Sequence, residues 1–308
     1  MALRYDTISF LSDFGHADEF VGVVHSVIRQ MAPEVTVIDI THEVPPYDVR
    51  AGGLTLGRAC QYLAPGVVIA VVDPGVGSAR RAIAVEVGDG QSVLLGPDNG
   101  VLAAAVAIVG GATRAVWLND PEYHLEAAGS LFDGRDVFAP VAAHLCNGVP
   151  LDQLGELIDP AGLLPGTLPI SEESNGVITA EVLWVDHYGN VQLNADPGEL
   201  DALGSIFELS VDSTAGTVRT VRRATNFTEI GTGAIGLVID SYGALALVCN
   251  RDSAAGELSI GTGDAITLTP LDGDEPDPRG ATTSVQLSPS RSRPEGHIHD
   301  HDDTGANR

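Results

Sequence analysis

Four short apolar runs in the first half of this chain end in polar residues suited to handling a small charged ligand. They end at Asp13 in Ser12-Asp13-Phe14-Gly15, at Tyr47 after Pro45-Pro46, at Asp73 in Asp73-Pro74-Gly75-Val76-Gly77, and at Asn99 in Pro97-Asp98-Asn99-Gly100. Asp73 closes a strongly apolar run, and Arg80 and Arg81 follow shortly after it. A carboxylate and a guanidinium at the mouth of a dry sheet can position and polarise a water, while an ordinary turn salt bridge would use the same residues. Gly75-Val76-Gly77 lacks a third glycine and leads into a strand, so it is no dinucleotide fingerprint. The second half offers Asp186-His187-Tyr188-Gly189-Asn190 and Asn226-Phe227. An amide edge beside an aromatic ring suits a nucleobase, and Gly189-Asn190 is equally good β-turn chemistry.

The elements that must position these groups follow from periodicity. Residues 7–11, 35–40, 67–72, 83–87 and 93–95 read as strands, the third a continuous apolar run expected when both faces are covered. Between them, Phe20, Val23, Val24, Val27, Ile28 and Met31 recur at helical spacing behind Asp18 as a candidate cap, and residues 48–63, 100–109 and 135–145 read as further helices. This alternation predicts an α/β domain around a mostly parallel sheet over residues 1–146. In such sheets ligands bind beyond the carboxyl ends of the strands, where Asp13, Tyr47, Asp73 and Asn99 fall. Residues 147–176, with four prolines, read as a linker. From 177 to 271 short strands and turns predict an all-β barrel, with residues 206–211 and 217–222 flanking a Ser-Thr-Ala-Gly turn. Residues 272–308 are acidic and carry His297, His299 and His301; they read as a solvated, disordered tail.

Composition narrows the function. A net charge of -26, from 42 acidic and 16 basic residues, argues against nucleic acid and anionic membranes as partners. All basic residues are Arg; the missing Lys excludes a Schiff-base lysine and a P-loop lysine. Cys60, Cys146 and Cys249 are scattered, which argues against a disulfide framework or a structural zinc site and favours the cytoplasm. No apolar run has the length of a membrane span, and the N-terminus leads straight into a strand without the features of a signal peptide.

Six motifs in order resemble the S-adenosyl-L-methionine hydroxide adenosyltransferases, relatives of fluorinase and chlorinase. They are Ser12-Asp13-Phe14-Gly15, Val44-Pro45-Pro46-Tyr47-Asp48-Val49, Val72-Asp73-Pro74-Gly75-Val76-Gly77 with Arg80-Arg81, Gly96-Pro97-Asp98-Asn99-Gly100, Phe132-Asp133-Gly134-Arg135-Asp136 and Asp186-His187-Tyr188-Gly189-Asn190. The resemblance spans residues 7 to about 270. It implies hydrolysis of S-adenosyl-L-methionine to adenosine and methionine, without metal or cofactor, in a homotrimer whose active sites lie between the N-domain of one subunit and the C-domain of the next. It implies that Asp13 holds the ribose hydroxyls and that Tyr47 lies against the substrate. Asn99 belongs to the same substrate-binding set. Asp186, Tyr188 and Asn190 would bind the methionine end and adenine, with Ser241 and Asn250 in the same pocket. Asp73 and Arg80 would be two members of a water-activating triad. The third member in the family is usually a His in Phe-His-Gly-Arg-Asp; this chain has Asp133 there, which cannot reproduce a neutral imidazole donor. Two alternatives remain open: a halogenase, which a carboxylate at position 73 opposes because it repels a halide, and a non-catalytic binder of the same ligand.

Overall fold

Ile8 and Phe10 point to one face of the first strand and Leu11 to the other, and all three are fully buried. The same division runs through Val67, Ile69 and Val71 on one side and Val68, Ala70 and Val72 on the other. A sheet whose central strands are apolar on both faces needs helices on both, and the chain supplies them. The computed structural model describes residues 4–271, apart from residues 168, 202 and 212–216. The Ser-Thr-Ala-Gly turn expected at 213–216 and the tail expected at 272–308 lie outside the described residues.

The first sheet is built from β1 (Thr7–Ser12), β2 (Thr36–Thr41), β3 (Val67–Val71), β4 (Ala82–Val87), β5 (Ser92–Pro97), β6 (Ala112–Trp117) and β7 (Glu156–Ile158), in the order β2-β1-β3-β5-β4-β6-β7. β2, β1, β3 and β5 are mutually parallel, while β4, β6 and β7 each run antiparallel to their neighbours. One face is covered by α1 (Phe20–Met31) and α4 (Ala139–Cys146), the other by α2 (Val49–Cys60) and α3 (Ala103–Ile108). The expected α/β domain with a mostly parallel sheet is present. Asp48 caps α2 by accepting the Ala51 N–H at 2.8 Å, whereas Asp18 does not cap α1; the cap position falls on Glu19, which makes no side-chain bond. Residues 147–176 contribute β7 to this sheet and β8 (Glu172–Ser174) to the next. β6 escaped the sequence reading because only Ala115 and Val116 of its residues are buried, which leaves no period-2 signal.

The second sheet comprises β8, β9 (Val177–Val185), β10 (Val191–Leu193), β11 (Ile206–Val211), β12 (Val218–Arg223), β13 (Ile235–Ile239), β14 (Leu245–Cys249) and β15 (Ala265–Pro270). β9 pairs with both β15 and β10, so the ring β9-β10-β14-β13-β12-β11-β15 closes as a seven-stranded barrel, and β8 adds to the β9 edge. Alternation fills it: Ile178, Ala180 and Val182 point inward with Phe207, Leu209, Leu247 and Ile266. Two short helices, α5 (Pro197–Asp201) and α6 (Ala254–Leu258), interrupt a region the pattern reads as all strand. Arg50 and Arg58 of α2 reach the barrel. Arg50 Nη1 lies 2.6 Å from Glu181 Oε1, and the Arg58 guanidinium stacks 4.0 Å above the Trp184 ring. Among the described residues, no helix is long and apolar enough to cross a membrane.

Gly96 on β5 sits tight against β3 and against Leu102, the residue before α3. A Cβ there would stand 2.6 Å from the Ala70 carbonyl oxygen and 3.2 Å from Leu102. Gly96→Ala should therefore lower the urea midpoint, with a loss of ~1–3 kcal/mol typical of overpacking, since a backbone oxygen must move to admit the methyl.

Candidate active site

The carboxyl ends of β1 and β3 are adjacent because the two strands pair in parallel, with Ser12 opposite Val71. The residues just beyond, Asp13 and Asp73, therefore reach the same edge of the sheet. Asp13 leaves β1 in a turn that Gly15 completes in the left-handed region, φ 65°, donating its N–H to the His42 carbonyl at 2.7 Å. Asp13 Oδ2 accepts the Tyr47 N–H at 2.9 Å. Tyr47 itself is held at φ 69°, a conformation side chains with a Cβ rarely adopt, and its ring is exposed. A strained, exposed aromatic after two prolines and tied to a carboxylate is the kind of outlier that clusters at functional sites.

Asp73 begins its own turn, accepting the Gly75 N–H on Oδ1 at 3.2 Å. Gly77, at φ 79°, lets this loop pack on residues 130–131: a Cβ there would stand 2.8 Å from the Leu131 side chain and 3.0 Å from the Ser130 carbonyl. That contact brings Asp133 to the Asp73 loop. Arg80 Nη2 then donates to both, to Asp73 Oδ2 and to Asp133 Oδ2 at 2.5 Å. Asp73 and Arg80 are largely buried, with side chains 5% and 10% exposed, and Asp133 is 18% exposed. Asp133 opens a π-helical turn (Gly134–Phe138) that runs into α4, and Arg135 pairs with Asp136 at 2.6 Å.

These residues face a cleft of about 330 Å³ lined by Asp13, Tyr47, Asp73 and Asp133, with Phe14, Phe20 and Phe132 as an apolar wall. The three rings pack mutually at 5.1–5.9 Å between centroids. Arg80 lies behind the carboxylates rather than in the lining. Burial pushes the Asp73 carboxyl above the ordinary range; Arg80 opposes this, and the like charge of Asp133 adds to it. A buried carboxylate with a raised pKa at a cleft is suited to act as a base. Sequence reading missed one neighbour. His124 has a buried Nε2 without a hydrogen-bond partner, burial holds its imidazole below the usual range, and the charge of Asp133 opposes that shift. His124 follows a 3₁₀ turn and lies outside all six motifs, so no motif signals it.

A second cleft of about 510 Å³ opens on the barrel and is lined by Asp186, Tyr188, Asn190 and Ser241 together with Trp184 and Tyr242. Asp186 accepts the N–H groups of Tyr188 and Asn190 at 2.9 and 2.8 Å and the Asn190 amide at 2.7 Å, so it fixes the turn. Gly189 is required there, since a Cβ would fall 2.0 Å from Ser253 Oγ. The two clefts share no lining residue. Asn99 and Asn250 line neither. Asn99 donates to the Val72 carbonyl at 2.9 Å and accepts the Val101 N–H at 3.1 Å, tying β3 to the turn after β5, and Asn250 donates to the Ile230 carbonyl at 2.7 Å. Trp184 and Tyr242 were not singled out as site residues from sequence.

Comparison with known proteins matches residues 8–155 to the SAM hydroxide adenosyltransferase N-terminal domain and residues 180–267 to the SAM hydroxide adenosyltransferase C-terminal domain. The chain is 42% identical over 262 residues to a protein from Salinispora arenicola named (R)-S-adenosyl-L-methionine hydrolase, covering 85% of this chain and 97% of the relative. A fluorinase from an Actinoplanes species is 24% identical over 289 residues, covering 85% and 97%. A solved structure from Thermotoga maritima, described as an uncharacterized conserved protein, superposes with a TM-score of 0.77 at 32% identity, covering 85% of this chain and 99% of that one.

The bridge through Arg80 generates a stability prediction. Arg80→Met leaves two largely buried carboxylates facing each other without their cation, which should cost about 3–5 kcal/mol near neutral pH. Losing the cation removes the influence that holds the Asp73 carboxyl down, so its folded-state pKa rises further. The deficit is therefore full above that pKa and shrinks as pH falls toward the ordinary carboxylate range. Urea unfolding of parent and variant at about pH 7 and about pH 5 should show the gap narrowing at the lower pH.

Proposed function

The chain belongs to the SAM hydroxide adenosyltransferase family, and from that premise we propose that it hydrolyses S-adenosyl-L-methionine to adenosine and L-methionine. The observation that carries the mechanism is the Arg80 guanidinium shared by Asp73 and Asp133 at the edge of a cleft that also holds Asp13. A water oxygen bonds to the ribose 5′ carbon as the carbon–sulfur bond breaks, and the bonding pair leaves on sulfur as a neutral thioether, so no general acid is called for. Asp73 takes the water's proton; its raised pKa brings its basicity closer to that task. Arg80, behind the carboxylates, holds them in place and acts on the developing hydroxide through its charge rather than by contact. The phenylalanine wall excludes bulk water around the nucleophile. Asp133 stands where the family usually has His and acts by positioning Arg80 rather than as an imidazole donor. Asp13 would take the ribose hydroxyls and Tyr47 lie against the sugar.

We assign the substrate's adenine and methionine end to Asp186, Tyr188, Asn190 and Ser241 of the barrel cleft, acting from a neighbouring copy in a homotrimer. The support is that the two clefts share no lining residue within one chain. Asn99 and Asn250 act by shaping the backbone, since their amides are already bonded to it. A halide nucleophile is disfavoured by the Asp73 carboxylate in the cleft. The chemistry calls for no cofactor, and the three free cysteines fit a cytoplasmic protein.

Purified protein incubated with S-adenosyl-L-methionine should release adenosine, followed by chromatography. The relatives' name specifies the R epimer at sulfur, so both sulfonium epimers belong in the assay. A 5′-halogenated adenosine as main product in the presence of halide would overturn the hydrolase reading. The acid limb of kcat/KM should lie above the ordinary aspartate pKa of about 3.9, because the rate needs Asp73 deprotonated and its folded pKa is raised. Asp133→Asn removes a like charge that helps raise it, so the limb should move to lower pH. An unmoved limb would separate Asp133 from Asp73.

The shared site is tested by mixing. Asp73→Ala protein and Asn190→Ala protein, each inactive, should regain activity after subunit exchange. Full activity in a monomer would exclude a site built from two copies.

A further inference from the structure

His25 on α1, Asp39 near the end of β2 and His42 just beyond it converge on one carboxylate oxygen. His25 Nε2 lies 2.8 Å and His42 Nε2 3.1 Å from the same Asp39 Oδ1. Among the described residues, this is the set of three His, Cys or carboxylate groups whose donor atoms all lie within 4.8 Å of one another. His25 and Asp39 are about one-third exposed, which leaves an entry path, while His42 is fully buried.

The hydrogen bonds around His42 leave a gap. Ser12 Oγ engages its Nδ1 at 2.7 Å, and the Phe10 ring packs edge-on at 4.6 Å, so the imidazole is fixed in place. Its Nε2 is buried, aimed at Asp39, and has no partner in hydrogen-bond geometry despite the 3.1 Å approach. When Nδ1 donates to Ser12, Nε2 turns a lone pair toward an anionic oxygen, and two acceptors face each other unless a cation lies between them. An outer partner on the far nitrogen of a ligating His is the usual way its orientation is set. Donors about 2.0–2.1 Å from a tetrahedral zinc are spaced roughly 3.3 Å apart, so small side-chain rotations would open the observed separations to admit the ion.

We propose that His25, Asp39 and His42 form a binding site for a divalent ion of the zinc class, with water or the nearby His16 in the fourth position. The His16 ring stands perpendicular to that of His42, 5.3 Å between centroids. The site lies outside the cleft and touches no reacting atom; its role is to pin backbone. It joins α1 to the ends of β1 and β2. Ser12 adjoins Asp13, and the His42 carbonyl accepts the Gly15 N–H. The ion would thus hold the Asp13 turn from behind. Sequence spacing hides the set, because His25 comes from a helix and the other two from the end of a strand.

The test uses full-length protein stripped of metal and titrated with Zn²⁺ by calorimetry, with Co²⁺ as a spectroscopic substitute. His297, His299 and His301 could compete, so the reference is the chain carrying His297→Ala, His299→Ala and His301→Ala. That reference should bind one Zn²⁺ per chain, show Co²⁺ d–d bands of a low-coordinate N/O site, and melt higher with Zn²⁺ than without. His25→Ala or Asp39→Asn in the reference should weaken binding by at least about tenfold. Because both side chains are partly exposed, these variants should keep the parent's circular dichroism, and loss of binding in a folded variant supports the site. A reference chain that takes up no Zn²⁺, or one whose affinity is unchanged in both variants, would show instead a metal-free His–Asp–His hydrogen-bond relay and overturn the proposal.

Discussion

One guanidinium between two carboxylates sets the terms for the α/β half of this molecule. Asp73 and Asp133 come from distant segments and would repel each other at the edge of a dry sheet; Arg80 makes their approach tolerable. Because Arg80 is largely buried and its Nε has no partner, the pair of contacts through Nη2 carries its compensation. The Asp73 loop must therefore stay packed on residues 130–131, and Gly77 is the backbone concession that permits it. Asp73 keeps a raised pKa despite the cation, since burial outweighs Arg80. Stability and reactivity are thus drawn from the same three side chains.

The sheet decides where that trio can stand. β1 and β3 are parallel neighbours, so their carboxyl ends open onto one edge, and Asp13 and Asp73 follow directly. The helices matter through what they bury. α1 and α4 close one face over Phe10 and Phe138, and the π-helical turn at the start of α4 places Asp133 beside Arg80. The barrel is fastened to α2 by Arg50 and Arg58, two of the chain's arginines turned to structural use. With no lysine available, these contacts rely on the planar cation, which can stack on Trp184.

Much of this was legible in the chain because burial writes itself into periodicity. The unbroken apolar run at 67–72 announced a central strand covered on both faces, and the short strands and turns from 177 onward announced the barrel. β6, β7 and β8 were not legible. β7 and β8 are three-residue edge strands, and β6, though paired on both sides, buries only Ala115 and Val116, so none leaves a pattern and partner strands rather than their own sequence make them strands. The helix start at Glu19 in place of Asp18 has a similar origin: a cap is a matter of local dihedral angles that composition does not fix.

The sequence alone determined the α/β-plus-barrel class, the polar strand ends and the residues from which a site could be drawn, because residue type and apolar period are local properties. Tertiary structure decided which of those residues act together. It gathered Asp13, Tyr47, Asp73 and Asp133 into one cleft, set Arg80 behind them, and gave Asp186, Tyr188, Asn190 and Ser241 a separate cleft. It also turned the amides of Asn99 and Asn250 to backbone carbonyls, and brought His25 against Asp39 and His42. These are facts of chain crossing and packing: side chains far apart in sequence meet only when parallel strands align their ends, and no spacing along the chain encodes that meeting.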